Sequence, residues 1–271
     1  MGPKEEKARV EISIAIAVRA RIHGHRSARL QGLPHFSTIQ AAVNGVPPGA
    51  TIFVCPGTYP EQIAIGQPLT LKEVAFNNQD RPTIVVPTGD PVLGGGLQVN
   101  VTSSITGTSL AAQVLVNPGN FSGDVNIFDL TVDGSGASCN AGASSIVGIF
   151  YGSGTSGAVR DSTIRNQNGN LAFCGSGVWI ENGSSLAETI GVTESSIHDF
   201  SDRGIAAYSN QNPPTLTVNL QKNAVHNAFS NATDILAQTV MGTIAHNVVT
   251  GRLTRDSGCR CLCPSGPRHG Y

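Results

Sequence analysis

The 271-residue chain is poor in charge: Asp, Glu, Lys and Arg make up 13% of it, about half the usual share. It has four lysines (Lys4, Lys7, Lys72, Lys222), two methionines, one tryptophan and only 5% aromatic residues. Coiled coils and charged helical bundles need abundant Lys, Glu, Leu and Ala, so both are excluded. No run of about 18 apolar residues occurs, which excludes a membrane-spanning helix. Phosphate loops, zinc-protease motifs and Gly-x-Ser-x-Gly elbows are missing as well. Glycine is plentiful, at 32 residues, alongside Ser, Thr and Asn, and 39% of the chain is hydrophobic. That composition supports a β-rich core and excludes disorder along the whole chain.

The net charge of −1 averages three unlike segments. Residues 1–35 carry seven Lys/Arg against three acids, and residues 251–271 carry four against one. The body between has six against fourteen, or −8. An acidic body disfavours nucleic acid, whose binding rests on Lys and Arg at phosphates, and the basic ends lack interleaved aromatics. Composition and charge sign change together at both borders. The expected division is therefore an N-terminal segment, 1–35, that is poorly ordered or carries a misassigned start, then a folded body, 36–250, and a basic Cys-containing tail, 251–271, of non-native character. The apolar stretch from Val10 to Ala20 is broken by Glu11 and Arg19, so no signal peptide is evident.

Self-similarity carries the fold. Five segments share one spacing of apolar positions: IFDLTVDG from Ile127, VRDSTIRN from Val159, VTESSIHD from Val192, LQKNAVHN from Leu220 and IAHNVVTG from Ile244. Their starts lie 32, 33, 28 and 24 residues apart. A second element sits between them: GIFYG at Gly148, GVWIENG at Gly177, GIAAYSN at Gly204 and DILAQ at Asp234. Short alternating runs at this period suit the windings of a parallel β-helix, where stacked windings bury apolar positions no single one could bury. Ser162, Ser195, Asn223 and Asn247 share one repeat position, where small polar side chains can bond neighbouring backbone at a bend. A β-sandwich would instead show strands every 8–12 residues joined by hairpins. Ahead of the repeats, FSTIQAAVNGV places Phe36, Ile39, Ala42 and Val43 on one helical face, with Ser37 as N-cap and Pro47-Pro48-Gly49 as the stop. Strands TIFV and EQIAI follow.

The stretch FSTIQAAVNGVPPGATIFVCPGTYPEQIAI resembles the opening of right-handed parallel β-helix proteins of the pectin-lyase-like superfamily. Gly57-Thr58-Tyr59-Pro60-Glu61 is also similar to the first motif of pectin methylesterases. The resemblance spans about Phe36 to Thr250. It implies a single right-handed parallel β-helix of seven to nine windings with an N-terminal amphipathic capping helix. It is specific for fold and weak for function, because lyases, hydrolases, esterases, epimerases and non-catalytic surface proteins share it. The methylesterase Asp-Phe-Ile-Phe-Gly and Gln-Ala-Val segments and the polygalacturonase signatures are absent from this sequence.

Strand alternation nonetheless predicts a surface. With Ile149, Val178, Ile205 and Ile235 inward, Phe150, Trp179, Ala206 and Leu236 point outward in one column, with Glu181 and Tyr208 two residues further on. The resemblance implies a sugar groove on this sheet, with Phe150, Trp179 and Tyr208 as platforms. The alternative is a loop that covers Phe150 and Trp179 as ordinary packing. Asp199, Asp202 and Arg203, with Glu181, form the candidate catalytic set. Resembling lyases pair carboxylate-bound Ca²⁺ with an Arg or Lys base, and the alternative is a solvated Asp–Arg pair. Asp129, Asp161 and Glu194 share one position above Lys222 and His246, a candidate cation column against an exposed polar one. His198 and His226 also share a position and offer two transition-metal ligands, too few alone for a good site. Cys139 and Cys174 precede successive Gly-start strands at a spacing that permits a disulfide, as in an oxidising compartment. The C-x-C-x-C of Cys259, Cys261 and Cys263 matches no common zinc spacing. The leading expectation is an exported, extracellular or cell-surface protein that binds or processes polysaccharide. If it is an enzyme, it is of polysaccharide lyase or glycoside hydrolase type; the alternative is a non-catalytic surface or adhesion module.

Overall fold

The computed structural model describes residues 13–16, 34–74, 81–87, 96–116, 123–139, 145–169, 171–227, 232–250 and 252–255. The triple Cys259, Cys261 and Cys263 and most of the two terminal segments lie outside these residues.

The strands sort into three sheets, and every winding contributes one strand to each in turn. The first sheet holds β1 (Ser13–Ile16), β2 (Ala50–Val54), β5 (Leu69–Glu73), β9 (Asp124–Phe128), β12 (Ser156–Arg160), β15 (Glu188–Thr193), β18 (Leu216–Gln221) and β21 (Met241–Ala245). The second holds β3 (Thr58–Pro60), β6 (Thr83–Val85), β10 (Thr131–Asp133), β13 (Thr163–Arg165), β16 (Ser196–His198), β19 (Ala224–His226) and β22 (Val248–Val249). The third holds β4 (Ile63–Ile65), β8 (Ser109–Val116), β11 (Ser145–Tyr151), β14 (Gly175–Asn182), β17 (Arg203–Ser209), β20 (Thr233–Gln238) and β23 (Arg252–Arg255). All neighbours along these paths pair in parallel, giving seven windings among the described residues. The exception is β7 (Val101–Thr102), which runs antiparallel to β8. Crossovers between parallel strands are right-handed in nearly all proteins, and this is a right-handed parallel β-helix. Strands β1 and β23 lie outside the 36–250 stretch that composition set apart.

Columns of like residues make the core. Ile149 pairs with Val178, Val178 with Ile205 and Ile205 with Ile235, all buried, as the repeat spacing predicts. Val132, Ile164, Ile197 and Val225 stack likewise in the second sheet. Five successive bends from the first to the second sheet turn on a residue with positive φ: Asp129, Asp161, Glu194, Lys222 and His246. That left-handed conformation is uncommon for residues other than Gly, Asn and Asp, yet these five windings repeat it. The next residue closes the bend. The Ser162 backbone N–H donates to Ser195 Oγ (3.2 Å), that of Ser195 to Asn223 Oδ1 (3.0 Å) and that of Asn223 to Asn247 Oδ1 (2.9 Å). This side-chain ladder supplies partners for backbone donors that the bend removes from the sheets.

Glycine within the third-sheet strands has a steric reason. A Cβ on Gly148 would lie 2.6 Å from Ile164 Cγ2 and 2.7 Å from the Gly177 carbonyl. This position inside β11 is too tight for any side chain. At the N-terminal end, α1 (Ile39–Gly45) buries Ile39, Ala42 and Val43 as its periodicity predicts. Its N-cap is Thr38, whose side chain accepts from the Ala41 N–H, and not Ser37. Glu61 completes the cap, accepting the N–H groups of Ile39 and Gln40 at 2.9 Å each. This carboxylate ties the helix to the first winding and suits the positive end of the helix dipole.

Candidate functional site

The outer face of the third sheet is the place to build from. Leu115, Phe150, Trp179, Ala206 and Leu236 stand in one outward column, each paired with the next. Glu181 and Tyr208 pair in the next outward column. The column forms as alternation predicts, but it is not an open platform. Phe150, Trp179 and Tyr208 are 1%, 2% and 4% exposed.

The cover is the long connection between β6 and β8. Its residues 96–108 lie over the sheet as a strap, with β7 antiparallel to β8. Gln62 fixes one end, donating to the Gln98 carbonyl (2.7 Å) and accepting from the Gln98 N–H (3.0 Å). Asn100 brackets Ala112 in the same reciprocal way, at 2.9 Å each. Val101 and Ile105 then pack onto Leu110, Leu115, Phe150 and Trp179.

Glu181 locks the far end. Its carboxylate accepts from Ser103 Oγ (2.6 Å), the Ser104 N–H (2.7 Å), Ser104 Oγ (2.9 Å) and Trp179 Nε1 (3.1 Å). A buried carboxylate with four donors is well satisfied. In this conformation it has no access to a ligand, and it holds covering chain where a catalytic acid was expected. The expected sugar platform of Phe150, Trp179 and Tyr208 is correspondingly the underside of the strap.

The other candidate residues separate. Asp199 sits at a bend with φ 57° and bonds His198 Nδ1 at 2.6 Å, at the end of the second sheet. Asp202 pairs with the Arg203 guanidinium at the start of the third. Arg203 also lies over the rings of Trp179 (5.6 Å) and Tyr208 (5.9 Å). Burial pushes the Asp202 carboxyl above its ordinary range while Arg203 opposes the shift. Tyr208 is pushed up to about 12, mainly by burial, with Arg203 opposing. Arg203 keeps 29% of its side chain exposed, so the pair forms the rim of the covered cluster.

The expected carboxylate column exists in register: Asp129 stands above Asp161, which stands above Glu194, all at the left-handed bend. The protein supplies its own cations there. Arg160 pairs with Asp161 at 3.1 Å, Lys222 pairs with Glu194 at 3.0 Å, and Arg81 donates to the Asp161 carbonyl. Among the described residues, no three His, Cys, Asp or Glu side chains converge as a metal site. Neither Asp129–Asp161–Glu194 nor Glu181–Asp199–Asp202 therefore forms the expected Ca²⁺ cage.

Two features of the rim escape sequence reasoning. Phe173 is 59% exposed with φ 58°, and Leu171 beside it is also exposed. The Phe173 N–H donates to the Ser201 carbonyl, and the Asp202 N–H donates to the Gly175 carbonyl. An exposed ring therefore shares the corner with Asp202 and Arg203. The loop carrying it is tied by the Cys139–Cys174 disulfide, whose Cα atoms are 6.0 Å apart.

The chain is a right-handed parallel β-helix with a strapped third sheet and an Asp–Arg–aromatic edge. No protein-family model matches the chain, and no curated protein matches it. Among solved structures it is similar to a pectin methylesterase point mutant in complex with a hexasaccharide, at 10% identity over 94% of both chains with a TM-score of 0.38. It is also similar to the pectin methylesterase from Aspergillus niger in deglycosylated form, at 14% identity over 96% of this chain and 93% of that one, TM-score 0.38. The penultimately deglycosylated form of the same enzyme matches at 14% identity over 97% and 93%, TM-score 0.34. Among the described residues no helix is long and apolar enough to cross a membrane.

Proposed function

We propose that this protein is an exported polysaccharide-binding β-helix whose contact site is the rim around Asp202, Arg203 and Phe173. The observation that carries this reading is the division of labour on the third sheet. Glu181 is consumed by the strap, whereas Arg203 is partly exposed beside an exposed aromatic ring. An aromatic ring offers a flat apolar surface to the C–H side of a pyranose. A guanidinium presents donors that match a carboxylate or a pair of hydroxyls. The arrangement favours an acidic glycan, because Arg203 sits at the edge of an otherwise acidic body. The disulfide fits an oxidising, extracytoplasmic setting.

A processing role has one supporting observation, the raised Asp202 carboxyl beside Arg203, which would suit a general acid. One experiment separates the two. The protein is incubated with pectin, polygalacturonate, alginate and neutral glycans, and binding is followed alongside absorbance near 235 nm and release of reducing ends. Binding without product, lost in Arg203→Ala and Phe173→Ala, is the expected result. Product formation lost in Asp202→Asn establishes processing instead. No binding across the panel contradicts both and leaves a non-catalytic spacer module.

A further inference from the structure

The outer face of the second sheet carries a column that the polysaccharide reading does not use. Asp133, Arg165, His198 and His226 occupy one position in four successive windings. The imidazoles of His198 and His226 lie nearly parallel, 9° apart, with ring centroids separated by 5.1 Å. Asp199 Oδ2 lies 2.6 Å from His198 Nδ1. That contact places the proton of the neutral ring on Nδ1 and leaves the Nε2 lone pair free to bind. A carboxylate orienting an imidazole through its second nitrogen is the arrangement that metal-binding histidines use.

Charge and access agree. His226 is exposed and His198 is partly so. Arg165, one winding above His198, would repel a cation, but Asp133 pairs with it at 2.8 Å. Burial would raise the Asp133 carboxyl, yet hydrogen bonds from Ser135, Asn166 and Arg165 outweigh this and hold it below its ordinary range. Asp133 therefore stays ionised and cancels Arg165, and Asp199 leaves the column with a net negative charge.

We propose that His198 and His226 form a surface chelate for a borderline divalent transition metal ion such as Cu²⁺, Ni²⁺ or Zn²⁺, with water completing the shell. Imidazole nitrogens suit these ions, whereas Ca²⁺ takes oxygen ligands. Metal–nitrogen bonds of about 2.0–2.1 Å require the two rings to tilt toward a shared ion. The broad χ2 torsion of histidine permits that tilt. The site is distinct from the Asp129–Asp161–Glu194 column and from the rim at Arg203.

The test is a calorimetric titration of the full chain with Cu²⁺ alone, together with electron paramagnetic resonance. Histidines and cysteines in the terminal segments, among them His23, His25 and Cys259, can bind copper as well. The readout is therefore the difference between variants. His226→Ala is expected to remove one binding equivalent and its two-nitrogen spectral signature while the other equivalents persist. His198→Ala is expected to do the same, and Asp199→Asn to weaken that equivalent about 10–100-fold. Circular dichroism checks each fold; if His198→Ala does not fold, the exposed His226→Ala decides. Unchanged stoichiometry and spectra in His226→Ala, or no copper binding by the parent chain, would overturn the proposal.

Discussion

The first and third sheets follow the same alternation, yet their outer faces end differently. The third presents Leu115, Phe150, Trp179 and Ala206 outward, and all four are buried. The first presents Thr70, Asn126, Ala158, Gly191 and Asn219 in its middle outward column, and all five remain partly exposed. Its neighbouring column holds Lys72, Phe128 and Arg160, with the Arg160 guanidinium 4.6 Å over the Phe128 ring. Leaving an aromatic column open to water would forgo roughly 1.5–3 kcal/mol per large side chain, so the third sheet acquires a cover. A column of one hydroxyl, two amides, an alanine and a glycine gains little from cover and stays open. Outward composition, more than position in the repeat, decides which face is available to a partner.

The sharpest way to break the comparison is to unfasten the strap. Glu181→Ala removes one acceptor from four donors, and the loss should be about 3 kcal/mol, read as a lower denaturant midpoint. Hydrogen exchange should accelerate in residues 98–108 while the core of the second sheet keeps its protection. Equal protection in parent and variant would mean that the strap is held by its apolar contacts alone.

A second test falls at the corner between the two sheets. Glu188 opens β15 with its side chain inward, accepting from the Gly154 N–H at 2.9 Å while Oε1 has no hydrogen-bond partner. Burial, helped by the nearby Glu181 charge and opposed by N–H donors, pushes its carboxyl up to about 8 from an ordinary 4.5. The folded state thus holds this proton more tightly than the unfolded one. Its contribution is fully present below about pH 4.5 and is lost as pH rises to about 8. Glu188→Gln should match the parent near pH 4.5 and melt higher than it at pH 8.5. An unchanged difference in melting temperature across that range would contradict the buried, protonated acid.

The smallest effect is expected on the open face. Thr189→Ala and Asn219→Ala should each change stability by under about 0.5 kcal/mol, measured on the same denaturant curves. A larger loss at either position would show that the first sheet is also covered.

The legible part of this architecture was the part set by period. The Ile149, Val178, Ile205 and Ile235 column follows from repeat spacing and alternation, as do the Ser162–Ser195–Asn223–Asn247 ladder and the proximity of Cys139 to Cys174. A loop over Phe150 and Trp179 was one of the two expected readings, but which segment supplies it and that Glu181 fastens it were not legible, because Ser104 meets Glu181 across 77 residues and belongs to no repeat. A solitary tryptophan two residues before a glutamate therefore suggests a sugar platform equally well as a clamp. The carboxylate column follows from the register, but which of its two expected readings holds was not legible, since the sequence does not reveal that Arg160 and Lys222 reach their neighbouring acids. The exposure of Phe173 depends on a left-handed residue within a disulfide-tied loop, which carries no periodic signal.

Trp179 is the only tryptophan in the chain, so its fluorescence reports on the strap without labelling. With the strap seated, emission should be blue-shifted and resistant to iodide quenching, and Glu181→Ala should shift it red and make it quenchable. A parent protein whose emission is already red-shifted and freely quenched would contradict the covered third sheet and return Trp179 to the surface.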